Sequence, residues 1–430
     1  MPEVDVCIIG GGIQGCGVAQ AAAAAGYKTV LLEQTALAHA TSRRSSKLIH
    51  GGLRYLESGQ FALVAKSLAE RERLIRNAPE LVRRVPFYIP IYKHTRRRPW
   101  QLVLGLSLYA VLGRLHAGAC YRSLDYDKWS QLDGLKLDGL QAVYQYWDAQ
   151  TDDLQLTRAV MYSAMQLGAQ LFCPARCVSA QRRGDRYHID YQLADNQASL
   201  TSKVLINAAG PWVSDVHAKL DSNVAMPAIE LVQGAHLILK QSAPSGVYYV
   251  ESPSDKRAVF VMPWHGQTLI GTTETLVSGD PASVQPTEHE VDYLRNIAHF
   301  YFPHNDDSVL DQFAGVRVLP KTERGVFHRP RDTLLYTHAN LPGYLALIGG
   351  KLTAYRVTAQ KVMQMLQQHL SEQKPIADTR ELALSKAPED LQSSRPAAFV
   401  NSVSLPGRCI DLSMRSDLGQ LRRKDFKLHA

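Results

Sequence analysis

The first apolar run of the chain, Val6-Cys7-Ile8-Ile9, is β-branched, unbroken and ends abruptly in glycine. That is the pattern of a buried strand. A run of small residues over 16–25 suits a helix packed tightly on a sheet, and a second apolar strand, 29–32, closes on Glu33. Apolar positions then recur at helical spacing over 61–75, which predicts an amphipathic surface helix ending before Pro79. Leu154, Leu156, Val160 and Met165 mark another inner face, with Asp152 and Asp153 placed to cap the helix that carries it. Alternation over 177–180 and 187–191 around Gly184-Asp185 predicts a hairpin, and 203–209 reads as a further buried strand. The β-rich runs 236–239, 247–250 and 258–263 suggest an antiparallel sheet. A helix over 291–301, strands over 311–319, 334–338 and 344–348, and a helix over 352–370 complete the pattern. After Gln373 periodicity fades into serine, proline and charge, as in a loosely ordered tail.

Gly10, Gly12 and Gly15 stand in G-x-G-x-x-G spacing between the first strand and the first helix. Strand, glycines, helix, second strand and terminal acid together form a dinucleotide-binding unit. The helix N-terminus offers free N–H groups to a pyrophosphate, and Glu33 offers a carboxylate to ribose hydroxyls while repelling a 2′-phosphate. Strands that end in glycine recur at Asn207-Ala208-Ala209-Gly210 and before Gly349-Gly350. A nicotinamide enzyme more often keeps its dinucleotide domain in one block, so this recurrence points to FAD held along its whole length. The expected fold is α/β: a discontinuous Rossmann-like FAD-binding domain (1–85, 148–215, 334–372) and an antiparallel-sheet substrate domain (86–147, 216–333). Residues 373–430 are expected to be a short tail.

The stretch 41–56, TSRRSSKLIHGGLRYL, combines hydroxyls, paired glycines and basic side chains, which suits a loop facing phosphates or a flavin. Cofactor contacts are therefore expected at Thr41, Ser42, Ser46, Lys47, Leu48, His50, Gly51 and Gly52. Others are expected at Gln34 beside Glu33, Val178, Ala209, Gly210, Trp212 and Gly271, and at Gly350, Lys351, Leu352 and Thr353. Arg54, Arg317 and Lys351 each follow a glycine-marked site that this topology would bring to one flavin, and Arg331 is a fourth candidate. Such a cluster suits a small phosphorylated substrate. Lys351 beside the ring would favour negative charge developing there. Oxidising an alcohol also needs a base; His50 is the first candidate and His236 the second.

Composition adds bounds. The 430 residues allow two domains, and 45% apolar with 20% charged residues is ordinary for a soluble protein. A net charge of +8 points to an anionic partner, a phosphorylated metabolite or a membrane surface rather than nucleic acid, for which no motif is present. The six cysteines lack metal-ligand spacing and suit buried reduced thiols in a reducing compartment. The first strand starts so near Met1 that no leader peptide is expected. An apolar run over 102–112, too short to span a bilayer, follows Lys93, Arg96, Arg97, Arg98 and Trp100 and contains Tyr109. It fits an in-plane interfacial helix or a buried core helix about equally.

The segments TSRRSSKLIHGGLRYLE (41–57), NAAGPW (207–212), IGTTE (270–274), GVRVLP (315–320) and GGKLTAYR (349–356) resemble the FAD-dependent glycerol-3-phosphate dehydrogenases, in that family's order from residue 4 to about 370. The resemblance implies a D-amino-acid-oxidase-like fold and oxidation of sn-glycerol 3-phosphate to dihydroxyacetone phosphate. It further implies electron delivery to a membrane quinone, with cytoplasmic, peripheral attachment to the inner face of the membrane. Carried over residue by residue, His50 acts at the substrate hydroxyl, Arg317 lies beside the flavin, Arg54 and Lys351 hold the phosphate, and Tyr55 lines the pocket. The tail after Gln373 is expected to lack the family's full C-terminal helical domain. Two other readings stay open: a soluble oxidase of a related polyol phosphate or hydroxy acid using oxygen, and a non-catalytic flavin-binding module.

Overall fold

The computed structural model describes residues 1–114, 120–193, 196–321 and 333–392. Among them, eight strands form one sheet and ten a second. In the first sheet the order runs Leu334–Tyr336, Tyr344–Ile348, Asn196–Asn207, Glu3–Ile9, Thr29–Leu32, Gln170–Phe172. Its middle is parallel, with Ile8 opposite both Ile206 and Leu31. Strands buried on both faces read as continuous apolar runs, which is why Val6 to Ile9 showed no alternation. The predicted hairpin forms from Ala175–Arg183 and Arg186–Leu193, and its second strand pairs antiparallel with Asn196–Asn207.

Three helices cover one face: α1 (Ile13–Ala24), α4 (Asp153–Gln166) and α7 (Tyr355–Leu366). The small side chains of α1 permit the close contact; a Cβ on Gly17 would lie 2.6 Å from the Tyr355 ring. Asp152 caps α4 by accepting from the Gln155 N–H at 3.0 Å, whereas Asp153 turns aside to an ion pair with Lys47. α7 begins at Tyr355 rather than 352, because Gly349 and Gly350 take positive φ and a turn from Lys351 to Ala354 follows. Lys351 therefore precedes the helix and is not its N-terminal residue.

The second sheet is built on Ile229–Ser242, flanked by Val309–Pro320 and Gln267–Gly271, and continues through Ala258–Trp264, Val247–Glu251, Val82–Tyr92 and Leu140–Thr151 to Leu48–Ile49. Its described pairings are antiparallel except that of Val247–Glu251 with Val82–Tyr92. Asp148 lies inside Leu140–Thr151, not in a loop, so this sheet retains the chain as far as Thr151. Against the sheets pack α2 (Phe61–Asn77), α3 (Pro99–Leu112), the short α5 (Val213–His217) and α6 (Glu288–Tyr301). No helix among the described residues is long and apolar enough to cross a membrane.

Beyond Gln373 the chain is irregular but pinned as far as it is described. The Ile376 N–H donates to Ala24 O at 2.7 Å and the Leu384 N–H to Asn77 O at 2.7 Å, while Leu384, Ala387 and Leu391 are buried. Backbone bonds to α1 and to the end of α2, rather than periodicity, give this segment its order. Cys7, Cys16, Cys173 and Cys177 are buried free thiols and Cys120 is exposed; Cys409 lies outside the described residues.

α2 and α7 are joined by a buried bidentate pair, Arg356 Nε and Nη2 to Glu70 at 2.7 and 2.6 Å, and Glu70 also takes Arg73. Removing one partner leaves a buried charge short of its counterion. Arg356→Ala should cost about 3 kcal/mol, the low end for such pairs because Arg73 remains. Replacing both partners with Glu70→Leu and Arg356→Met should recover most of that loss in chemical denaturation; an unchanged midpoint for the single variant would refute the role.

Candidate active site

The glycines set how closely the backbones approach. A Cβ on Gly15 would sit 2.0 Å from Gly10 O, and Gly10, at φ +111°, would press one to 2.5 Å from Ala208 O. The start of α1, the first strand and the strand ending at Asn207 thus meet without side chains between them. Ser42 Oγ accepts from the Ile13 N–H at 2.9 Å, bringing the 41–57 loop onto the first turn of α1. Both carboxylate oxygens of Glu33 accept backbone bonds, from Gly11 N at 2.7 Å and Thr35 N at 2.8 Å. Burial raises the Glu33 carboxyl above its ordinary value, and those N–H groups oppose the rise.

Gln14, passed over in the sequence, lies in the same place. Its Nε2 donates to Lys351 O at 3.2 Å, and its buried Oε1 has no hydrogen-bond partner among the described residues. Helix amides, a glycine cradle, an acid at the end of the second strand and an acceptor awaiting a hydroxyl fit FAD. Ala209, Gly210 and half-buried Trp212 continue from the Ala208 contact. Leu352 and Thr353 follow Lys351 in its turn. Gln34 is exposed, and Val178 is 42% exposed on the hairpin strand whose first residue, Ala175, bonds Glu33 O.

Next to this cradle lies a polar group on the second sheet. Arg317 donates to Thr272 Oγ1 at 3.0 Å and to Thr273 O at 3.3 Å. The buried Glu290 carboxylate holds that turn by accepting from the Thr273 and Thr275 hydroxyls at 2.6 and 2.8 Å. Thr41 ties its hydroxyl to Val316 O at 2.6 Å. His236 is fully enclosed, stacked on Phe313 and against Gly271, with Nε2 at 2.9 Å from Ser46 Oγ. Burial, Arg317 and Lys47 push its imidazole down to about 3. Committed to Ser46, it fixes the loop. The Lys47 ammonium is likewise engaged, with Asp153 at 2.8 Å and Arg43 O at 2.5 Å, between the rings of Trp264 and Phe313.

The third group contains the leading candidates. Lys351 Nζ lies 4.1 Å from the Tyr55 ring centroid and the Arg54 guanidinium 5.5 Å from it, so two cations from distant parts of the chain share one ring. His50 meets Phe260 edge to face at 6.1 Å, and Phe260 pairs across the strands with Gly271, itself opposite His236. Burial pushes the His50 imidazole down to about 4; Asp148 opposes this, and Lys351, Arg54 and Arg71 add to it. Thus His50, Arg54, Tyr55 and Lys351 converge, with Arg317 and His236 joined to them through Phe260 and Gly271. Arg331 lies outside the described residues.

Three site residues carried no sequence signal. Tyr109, in a run that fits an interfacial or a core helix alike, is fully buried: its hydroxyl accepts from the Gly51 N–H at 2.9 Å and donates to Asp148 at 2.7 Å. Asp148 is paired with the buried Arg71 at 2.5 Å. Arg97, expected to meet an anionic surface, turns inward to Glu57 and Glu251. Only tertiary pairing reveals these roles; a tyrosine within an apolar run was the one available hint.

Residues 5–356 match the protein family described as FAD dependent oxidoreductase. The chain is 37% identical over 383 residues to a glycerol-3-phosphate dehydrogenase of Pseudomonas tolaasii, spanning 86% of this chain and 73% of that protein. It is 34% identical over 373 residues to a D-erythritol 1-phosphate dehydrogenase of Brucella abortus, spanning 85% and 74%. Among solved structures, the glycerol-3-phosphate dehydrogenase of Bacillus halodurans complexed with FAD superposes with a TM-score of 0.68 at 26% identity, over 89% of this chain and 68% of that one.

The electrostatics of His50 have a direct readout. In the FAD-loaded protein its imidazole should stay neutral until the pH falls to about 4. Nitrogen NMR of the His50 ring, assigned with His50→Asn, checks this. Titration at the ordinary 6.5 would contradict the buried setting.

Proposed function

The chain belongs to the family of FAD-dependent oxidoreductases, and from that premise we propose that it oxidises the secondary hydroxyl of glycerol 3-phosphate, giving dihydroxyacetone phosphate. The observation that carries this reading is the pair of cations, Arg54 and Lys351, gathered round Tyr55 beside a neutral histidine. When bound, FAD supplies a two-electron acceptor for the hydride that leaves the carbinol carbon. Arg54 and Lys351 hold the phosphate, the guanidinium through a planar fork and the ammonium as a point charge. Tyr55, whose ring both cations approach, lines the pocket. His50, neutral above about pH 4, takes the hydroxyl proton as the carbonyl forms. Arg317, held by Thr272 and Thr273, provides fixed positive charge on the sheet side of the site.

The electrons pass on to a membrane quinone in this reading, with the protein seated on the inner face of the cytoplasmic membrane. α3 supports it: Trp100, Leu104 and Val111 are 67%, 65% and 59% exposed on a helix that lacks a polar face. Exposed Lys93, Arg96, Arg98 and Arg114 flank those side chains. Apolar side chains rimmed by cations suit an anionic lipid surface.

Glycerol 3-phosphate should bleach the bound flavin anaerobically, faster than unphosphorylated glycerol or D-erythritol 1-phosphate. His50→Asn should slow that bleaching roughly a hundredfold or more while flavin content holds. An intact flavin spectrum after adding glycerol 3-phosphate would remove the assignment, and preferential bleaching by the tetritol phosphate would reassign the substrate. Reoxidation by a quinone analogue should outpace peroxide formation in air; the reverse would favour an oxidase.

Flotation with anionic vesicles tests the membrane contact. Trp100→Ser with Leu104→Ser should weaken binding at least about tenfold, from the apolar area lost. Failure of the parent protein to float at low salt would end the proposal.

A further inference from the structure

The segment carrying His50, Arg54 and Tyr55 has little structure of its own. Leu48–Ile49 pairs briefly with Ala149 and Gln150, and Leu53–Leu56 is a single 3-10 turn. Its two ends are tied to one neighbour. At the first end the Gly51 N–H, next to His50, donates to the Tyr109 hydroxyl on α3. There is no space for a side chain at that point, since a Cβ on Gly51 would lie 2.4 Å from the Tyr109 oxygen. At the other end Glu57 pairs with Arg97, two residues before α3 begins. Arg97 also pairs with Glu251 and lies 5.9 Å from the Tyr249 ring, which packs on Phe260, the ring against His50.

We propose that Tyr109 on α3 and Arg97 in the turn leading into it are positioning residues that clamp the two ends of the 50–57 segment, Tyr109 aligning His50 for proton removal and Arg97 aligning Arg54 and Tyr55 for phosphate binding. The two ties act on different steps because they fasten different ends. Behind Tyr109 the chain continues through buried Asp148 to Arg71 on α2, so its hydroxyl cannot swing to another partner without leaving a buried carboxylate short of a donor. Arg97 is 19% exposed and its tie to the segment is made to the exposed Glu57, while its second partner, Glu251, is buried and keeps a bond from the Arg96 N–H. The inner side of α3 thus carries a catalytic tie while its outer side presents the exposed Trp100 and Leu104.

The roles in catalysis rest on the activity proposed above; the clamp itself does not, and the experiment separates them. Tyr109→Phe, Arg97→Ala and Arg97→Lys are loaded with FAD, checked for flavin content and melting temperature, and mixed anaerobically with glycerol 3-phosphate in a stopped-flow instrument. Tyr109→Phe should lower the limiting rate of flavin reduction about tenfold, with substrate dissociation changed by less than about twofold. Arg97→Ala should raise the dissociation constant about tenfold with a smaller effect on the rate, and Arg97→Lys should restore part of it. A merely structural role would lower melting temperature and flavin content without that split. Hydrogen exchange of residues 50–57, measured without substrate, should speed up in Tyr109→Phe and Arg97→Ala. Unchanged exchange in both variants overturns the clamp whatever the kinetics. If the parent flavin is not reduced, the proposed activity and with it the two catalytic roles fail, while faster exchange would still support the clamp. Reduced parent flavin with equal rate and affinity in all variants overturns the catalytic roles.

Discussion

The structure depends on one constraint, the absence of a side chain where α1 meets the sheet. With Gly15 resting on Gly10 O, the helix can start immediately after the strand and aim its free amides past the strand end. The same closeness lets Gly10 meet Ala208, which fixes where the strand ending at Asn207 must stop. Gly350, at φ +126° and against Gln14, brings a third segment to that point. Three strand ends from distant parts of the chain are thereby held at one helix N-terminus, and the second sheet supplies the opposite side.

Gathering cations beside an imidazole has a consequence for its protonation. Arg54, Lys351 and Arg71 disfavour the charged form of His50, as does burial, and Asp148 offsets only part of this. A histidine that is to accept a proton must begin neutral, so in the proposed reaction the charges that would bind a phosphate would also keep His50 ready as base. An incoming dianion would soften the effect of the cations just as the hydroxyl proton becomes available. The surroundings of His236 are harsher, and its Nε2 is already engaged with Ser46.

Much of this architecture was legible because it rests on local rules. Glycine spacing, unbroken apolar strands, a run of small residues for α1 and an acid after the second strand report backbone geometry directly, and the hairpin and α4 followed from periodicity. What failed to show was pairing at long range. Nothing local marks Asp148 until the strand Leu140–Thr151 is seen to carry it to Arg71 of α2. Arg97 sits in a run of three arginines, and nothing local separates the one that turns inward from those that face solvent. The segment after Gln373 lacks periodicity because its order comes from backbone bonds to Ala24 and Asn77, which leave no pattern in its own side chains.

α3 shows why an apolar helix can mislead in both directions. Its composition fits an interfacial helix and a core helix equally, and the structure makes it partly each: Leu102, Leu106 and Tyr109 are buried while Trp100 and Leu104 are open. A tyrosine is the side chain that can serve the inner face, since its ring packs among apolar neighbours and its hydroxyl reaches a backbone amide. Phenylalanine would pack as well but could neither receive the Gly51 N–H nor donate to Asp148. The hydroxyl is thus what turns a packing contact into a geometric restraint on His50. In the proposed reaction, a segment built from one 3-10 turn and two paired residues would need such a restraint, because proton removal tolerates little displacement of a base.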